Sequence, residues 1–342
     1  MQRKTLLKAV LFHSIILLVL LSSGAFAQQA RRGGIGMFGD WKFKVEYEGR
    51  QMESILSFSR DAEGNRTASL ISFWGVSELK DLKFENGELS FVQSNRFGDQ
   101  EFTQTFNGKI EEGKLTGMMK GDRGEFKVTG ERMPRMSRAV GVWELTLKMG
   151  EREFNSKLIV DVNKEGELTG KWESQRGESQ VSDLVYERGT LTFKRTSTYQ
   201  GNERQSTFEG AIDRQTGMLT GTMKSERGEI AVEGKRLGVD LIGTWNLETT
   251  SERGTRKQRL TVYPNMTGLY GAMPIKKIEL TEGKVTFMIV MQFGENKFEM
   301  NFEGKIEEGK LLGEMKTSRG ANKVTGTKVV RRFVRQRPSV NN

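Results

Sequence analysis

A Gly-x-Trp step recurs three times at a constant interval, and it constrains this chain more than any other feature. Gly39-Asp40-Trp41, Gly141-Val142-Trp143 and Gly243-Thr244-Trp245 lie 102 residues apart. Leu56, Leu158 and Leu260 keep the same interval. Phe91, Phe193 and Phe287 correspond, as do Phe106, Phe208 and Phe302, and Gly108, Gly210 and Gly304. The third copy is eight residues short, the loss falling between Val262 and Ile278. The copies end alike, in Asp122-Arg123-Gly124, Glu226-Arg227-Gly228 and Ser318-Arg319-Gly320. A period near 100 residues is too long for a solenoid unit and suits a self-sufficient domain. The expected units are therefore 39–133, 141–237 and 243–330, joined by linkers at 134–140 and 238–242.

Within a unit the hydrophobic period is two. Phe102, Phe106, Gly108 and Ile110 alternate with Thr103, Thr105, Asn107 and Lys109, as in a strand with one buried face. Gly-containing turn signals arrive at short intervals, at Asn86-Gly87, Glu112-Gly113 and Arg123-Gly124 in copy one. Only four Pro interrupt the chain. Eight strands are predicted in copy one, near 39–48, 51–59, 65–74, 78–85, 88–95, 100–111, 113–120 and 124–132. Consecutive hairpins make an antiparallel meander, and eight strands avoid exposed edges by closing on themselves. The fold class expected is all-β: three tandem meander units of about eight strands, each a small closed or partly open barrel. A large outer-membrane barrel is disfavoured because charges crowd the faces that lipid would require to be apolar.

The N-terminus reads as an export signal. Arg3, Lys4 and Lys8 precede an apolar run from Ala9 to Leu21, and Ala25-Phe26-Ala27 supplies a small-x-small cleavage site. The run is shorter than the roughly 18 residues a spanning helix needs. Residues 1–27 are thus expected to leave as a signal peptide, near Ala27, with 28–38 a flexible lead-in. The mature chain would be periplasmic or extracellular, with no transmembrane segment. Loss of the signal leaves 51 basic residues against 44 acidic. Arg31, Arg32, Arg331, Arg332, Arg335 and Arg337 sit in the ends, 331–342 forming a basic tail, so the repeats themselves are nearly neutral. That distribution excludes a nucleic-acid protein, which concentrates its basic residues on a folded face.

There is no Cys, and the single His, His13, lies in the signal. The mature chain therefore cannot build a Ser-His-Asp triad, a thiol nucleophile or an ordinary zinc site. Carboxylate chemistry remains open, but Glu111-Glu112 and Glu307-Glu308 are strand neighbours pointing to opposite faces beside Gly turns. The expectation is a non-catalytic protein with no catalytic residues, no metal and no cofactor. The sequons Asn65-Arg66-Thr67 and Asn265-Met266-Thr267 fit surface loops.

The start and end of each unit resemble the calycin group of barrels, the lipocalins and avidins. In that group the first strand carries Gly-x-Trp and the last ends in a basic residue packed across the Trp ring. Here Trp41 would be covered by Arg132, Trp143 by Arg236 and Trp245 by Lys328, a cation–π contact at each barrel floor. The Leu168-Thr169-Gly170 and Leu219-Thr220-Gly221 steps are similar to avidin strands. The units are shorter than lipocalins and lack a Thr-Asp-Tyr motif, so the resemblance implies a fold and no ligand.

Ligand candidates follow from positions that differ between copies. Gln93, Asn95, Phe102 and Gln104 become Arg195, Ser197, Arg204 and Ser206, then Ile289, Met291, Phe298 and Met300. With Phe287, the third set would line a Met-rich apolar pocket, and Arg195 and Arg204 would suit an anion or carboxylate head group. The partner expected is a small apolar or amphipathic molecule or an envelope component. The repeats could equally present an interaction surface; the alternatives are a structural or interaction protein of the cell envelope with filled barrels and no ligand and, last, a carboxylate-based glycan hydrolase. Oligomeric state is not legible in the sequence.

Overall fold

The computed structural model describes residues 37–329 except 48, 98–99, 123, 252–253 and 294–295, so the expected signal peptide and basic tail lie outside the described residues. The first unit holds β1 (Gly39–Tyr47), β2 (Arg50–Arg60), β3 (Arg66–Ser72), β4 (Gly75–Glu85), β5 (Glu88–Phe97), β6 (Gln100–Glu111), β7 (Lys114–Gly121) and β8 (Gly124–Arg132). Each strand pairs antiparallel with the next, and β8 returns to β1 to close a barrel. The second unit repeats this with β9 (Gly141–Met149), β10 (Arg152–Val162), β11 (Leu168–Ser174), β12 (Gly177–Glu187), β13 (Thr190–Tyr199), β14 (Asn202–Ile212), β15 (Leu219–Ser225) and β16 (Gly228–Arg236). Among the described residues there are no helices.

The third unit departs from eight strands. It comprises β17 (Gly243–Ser251), β18 (Gly254–Val262), β19 (Gly268–Tyr270), β20 (Met273–Ile275), β21 (Ile278–Thr281), β22 (Lys284–Phe293), β23 (Asn296–Glu307), β24 (Lys310–Thr317) and β25 (Gly320–Lys328). The sheet runs from β20 round to β21 without a ladder between those two edges, so this barrel is nearly closed. The fourth strand bulges in the first two units, between Lys80 and Lys83 and between Ser182 and Val185, and in the third it breaks into β20 and β21.

One floor is built three times. Trp41, Trp143 and Trp245 are buried and lie opposite Arg132, Arg236 and Lys328. Each indole Nε1–H donates to a backbone carbonyl four residues earlier, on Met37, Ala139 and Leu241, at 2.9, 2.9 and 2.8 Å. The cations in turn donate to the carbonyls of Phe38, Arg138 and Asp240. Arg236 stands 4.4 Å above the Trp143 ring and Lys328 5.4 Å above that of Trp245. The chain before each first strand is thus tied across the barrel bottom.

Above the floor, Phe91 stacks on Phe106, Phe193 on Phe208 and Phe287 on Phe302, at centroid distances of 4.8, 4.8 and 4.7 Å. The second ring of each pair lies over two glycines facing each other across strands: Gly108 and Gly117, Gly210 and Gly221, Gly304 and Gly313. A methyl at Gly210 would meet the Phe208 ring at 2.5 Å. Glycine is required at these places because an aromatic ring occupies the space of a side chain.

The eight missing residues of copy three come from two loops. Between the pairs Phe58–Ala68 and Val262–Gly268, copy one has nine residues, 59–67, and copy three has five, 263–267. Between Leu70–Ser77 and Tyr270–Met273, copy one has six, 71–76, and copy three has two, 271–272. A neighbouring barrel docks at both places. The hairpin tip of the first barrel, Ser72–Gly75, meets the lowered rim: Gln258 Nε2 donates to the carbonyls of Ser72 and Phe73 at 3.0 and 3.1 Å. Arg256 also donates to the Phe73 carbonyl, and its guanidinium lies 5.2 Å from the Phe73 ring. At the other loop the Pro264 carbonyl accepts from Val142 N, and Asn265 Nδ2 donates to Asp161 Oδ1 at 2.9 Å. The Asn265 sequon, expected in a surface loop, is engaged between the second and third barrels. The strand expected over 65–74 ends at Ser72 because Phe73 and Trp74 form the docking turn.

Candidate functional site

Alternation places one row of every strand inside its barrel, and in all three units those rows contain no Asp or Glu. Position for position they differ in what they carry above the stacked Phe pair. In the first barrel Gln93 pairs with Gln104, and Asn95 with Phe102, in the register of β5 and β6. In the second Arg195 faces Ser206 and Ser197 faces Arg204 across β13 and β14. In the third Ile289 faces Met300 and Met291 faces Phe298 across β22 and β23.

The third barrel's row is graded. Phe287 and Ile289 are buried in its core with Phe302. Met291 and Met300 are half-buried against that core, and Phe298 at the rim is 43% exposed. Arg256 and Gln258, on the inward row of β18, reach the docked hairpin of the first barrel instead.

The second barrel holds the most polar interior. Trp172 on β11 pairs with Leu158 and Ser179 and is 0% exposed. Its Nε1–H has no acceptor. Arg195 lies half-buried with its guanidinium 4.8 Å from the Trp172 ring centre. Its Nη2 donates to Ser179 Oγ at 3.0 Å, whereas its buried Nε–H has no acceptor. Burial pushes the Arg195 guanidinium below its ordinary value. Ser197 Oγ and the backbone carbonyl of Arg204 stand 3.5 Å apart across the two strands at the mouth. Two arginines are thus brought to one barrel mouth whose inward rows supply no carboxylate. A buried donor without an acceptor costs about 1–3 kcal/mol, more beside a charge, and an incoming anion removes that penalty.

Trp172 is the site residue that reading the sequence missed. Its counterparts are Leu70 and Tyr270, so it carries no repeat signal; only its place opposite the invariant Leu158 marks it as inward. The paired acids do nothing in common: Glu112 and Glu308 sit in turns at φ near +49° and are exposed, away from the interiors. Among the described residues no cluster of three or more acidic side chains is arranged to hold a metal. None of their helices could cross a membrane, there being none.

No family model matches this chain, and no curated protein matches it. Among solved structures it is similar to a putative outer membrane protein from Bacteroides fragilis, at 14% identity and a TM-score of 0.24, over 58% of this chain and 94% of that one. A transferrin binding protein B mutant from Haemophilus parasuis matches at 12% identity and a TM-score of 0.20, over 85% of this chain and 75% of that one. A protein of unknown function from Nostoc punctiforme matches at 10% identity and a TM-score of 0.20, over 86% and 96%. At these values the likenesses assign neither family nor function.

Proposed function

We propose that this chain is an exported, non-catalytic binding protein whose second barrel receives the anionic head group of a small amphipathic molecule at its mouth. Export rests on the N-terminal signal pattern, which lies outside the described residues. The absence of His and Cys after residue 13 removes a Ser-His-Asp triad, a thiol nucleophile and an ordinary zinc site. The observation that carries the reading is the pair of unsatisfied donors, Trp172 Nε1–H and Arg195 Nε–H, within one acid-free interior. A calycin-like use of the barrel mouth agrees with this placement, although Phe193 and Trp172 already fill the interior below. The head group would enter and the apolar part would remain outside, towards Phe154 and Arg176 at the rim.

Octanoate, its methyl ester and octylamine provide the test, titrated calorimetrically into the mature protein. Octanoate should bind, the ester and the amine should not, and Arg195→Met should weaken octanoate at least about tenfold, the equivalent of one charge-assisted hydrogen bond. Trp172→Phe removes one donor with little change in volume and should weaken binding less. Equal affinity for acid and ester, or an Arg195→Met variant that binds as the wild type does, would dispose of the proposal.

A further inference from the structure

A cleft lies between the first and third barrels. It has a volume of about 640 Å³, and its walls come from Ile55 and Ile71 on the outer faces of β2 and β3, Arg60 at the end of β2, Phe38–Asp40 and Arg132 at the floor of the first barrel, the 133–135 segment, and the outer faces of β18 and β19. It opens between the two barrels and reaches the floor of the first at Phe38, Gly39 and Arg132. Ile55 and Ile71 pair across β2 and β3 on the outward row, since their neighbours Leu56 and Leu70 point inward. Outward residues of a small barrel ordinarily face water, and in the second barrel the cross-strand pair at this place is Lys157 and Glu173. Copy one has made the same place apolar, and the third barrel covers it: Ile55 and Ile71 are buried. Leu269 and Phe38 continue the apolar surface.

Around this surface stand Arg60, Arg132, Arg135 and Arg259, against a single carboxylate, Asp40. Arg60 and Arg132 are held in place. Arg60 donates to the Gly64 carbonyl at 2.6 Å and lies over the Phe38 ring at 4.7 Å. Arg132 donates to the Phe38 carbonyl at 2.5 Å. Held this way, their guanidinium groups lose little further rotamer freedom on meeting a ligand. Four cations in one apolar-walled cleft exceed what one monovalent carboxylate needs and match a phosphate monoester, which carries close to two charges and accepts several hydrogen bonds.

We propose that the cleft between the first and third barrels binds a phosphorylated amphiphile, with the phosphate among the four arginines and a short hydrocarbon against Ile55, Ile71 and Leu269. The site is separate from the mouth of the second barrel, and the two stand or fall independently. It exists only while the hairpin Ser72–Gly75 stays docked on the third barrel, so the ligand also joins the two units.

Dodecyl phosphate below its micellar concentration is the probe, titrated into the full mature chain beside dodecanol and inorganic phosphate. The mature chain should bind dodecyl phosphate at least about tenfold more tightly than either fragment, because head and chain contribute together. Arg135→Glu alters an exposed side chain and should leave folding intact while weakening dodecyl phosphate about tenfold. Arg259→Gln should act in the same direction, whereas Arg195→Met should remove at most a separate binding event at the second barrel and leave the Arg135-sensitive event in place. Binding of inorganic phosphate as tight as that of dodecyl phosphate would overturn the amphiphile assignment. Insensitivity of all binding to Arg135→Glu, or loss of the Arg135-sensitive event in Arg195→Met, would overturn the location.

Discussion

The side-chain amide of Gln258, on the inner face of the third barrel, donates to the backbone carbonyl of Ser72 in the first barrel at 3.0 Å. Gln258 is 1% exposed, and its Oε1 accepts from Arg259 N, so both ends of the amide are committed. The first barrel's hairpin thus occupies the rim from which copy three has lost its own. Gln258→Ala leaves the Ser72 and Phe73 carbonyls without this donor and should cost about 1–3 kcal/mol. The loss should be local: amide exchange should quicken at Phe73–Gly75 and around Gly271 while the floor of the first barrel stays protected. Unchanged protection at the hairpin would show that the amide does not hold the units together.

Gly271 makes the same contact sensitive to a single methyl. It has φ +62°, and a Cβ there would lie 2.5 Å from the Ser72 oxygen. Gly150 has φ +61° with nothing within 4 Å of its added Cβ, which makes it a matched control. Both Ala substitutions carry the left-handed backbone penalty of about 1–2 kcal/mol. Gly271→Ala should lose more than Gly150→Ala, and chemical denaturation of the two variants measures the docking term as their difference. Equal losses would mean that the hairpin moves aside freely.

The glycine beneath each stacked Phe should tolerate nothing larger. A Cβ at Gly221 would meet the Glu209 carbonyl at 2.4 Å and the Gly210 Cα at 2.5 Å, both backbone atoms of the paired strand. Backbone cannot give way as a flexible side chain can, so Gly221→Ala should lose at least about 2 kcal/mol, with Gly117→Ala and Gly313→Ala alike. Calorimetric melting of the three variants checks this. A neutral result at any one of them would show that its ring swings clear.

Much of the architecture is legible in the sequence. Trp41, Phe91 and Phe106 recur with their counterparts in register because each serves a floor or a stacked pair that all three units need. The pairing of Arg195 with Ser206, and of Ile289 with Met300, follows from strand alternation and hairpin length alone. Inter-barrel contacts were not readable in this way. Ile55 and Ile71 are apolar on an outward row, but without the third barrel against them they pass for ordinary strand residues. The two four-residue losses in copy three showed in the sequence only as one shortfall of eight. Which partner each loss admits depends on how the units sit, and no repeat pattern encodes that. Trp172 stayed hidden for the opposite reason: it is unique to one copy, and comparison among copies rewards what is shared.

Tyr263 offers a measure of the packing where all three units approach. It lies in the shortened loop of the third barrel, one residue before Pro264, whose carbonyl accepts from Val142 of the second. Burial, aided by the charge of Asp40 in the first barrel, pushes its phenol up to about 12 from 10.0. The unfolded chain therefore releases this proton near pH 10 and the folded chain near pH 12. Between those values the unfolded state binds fewer protons, so stability falls as pH rises; below pH 10 the contribution is fully present. The alkaline loss assignable to this one group is on the order of 2 kcal/mol. Tyr263→Phe cannot ionise and should lose less stability than the wild type between pH 10 and 12, with the two converging below pH 9.5 apart from a constant offset. Absorbance titration near 295 nm should lose one late-ionising phenol in the variant. Parallel stability curves up to pH 12 would mean that Tyr263 titrates as an exposed phenol, and that the three floors do not close around it.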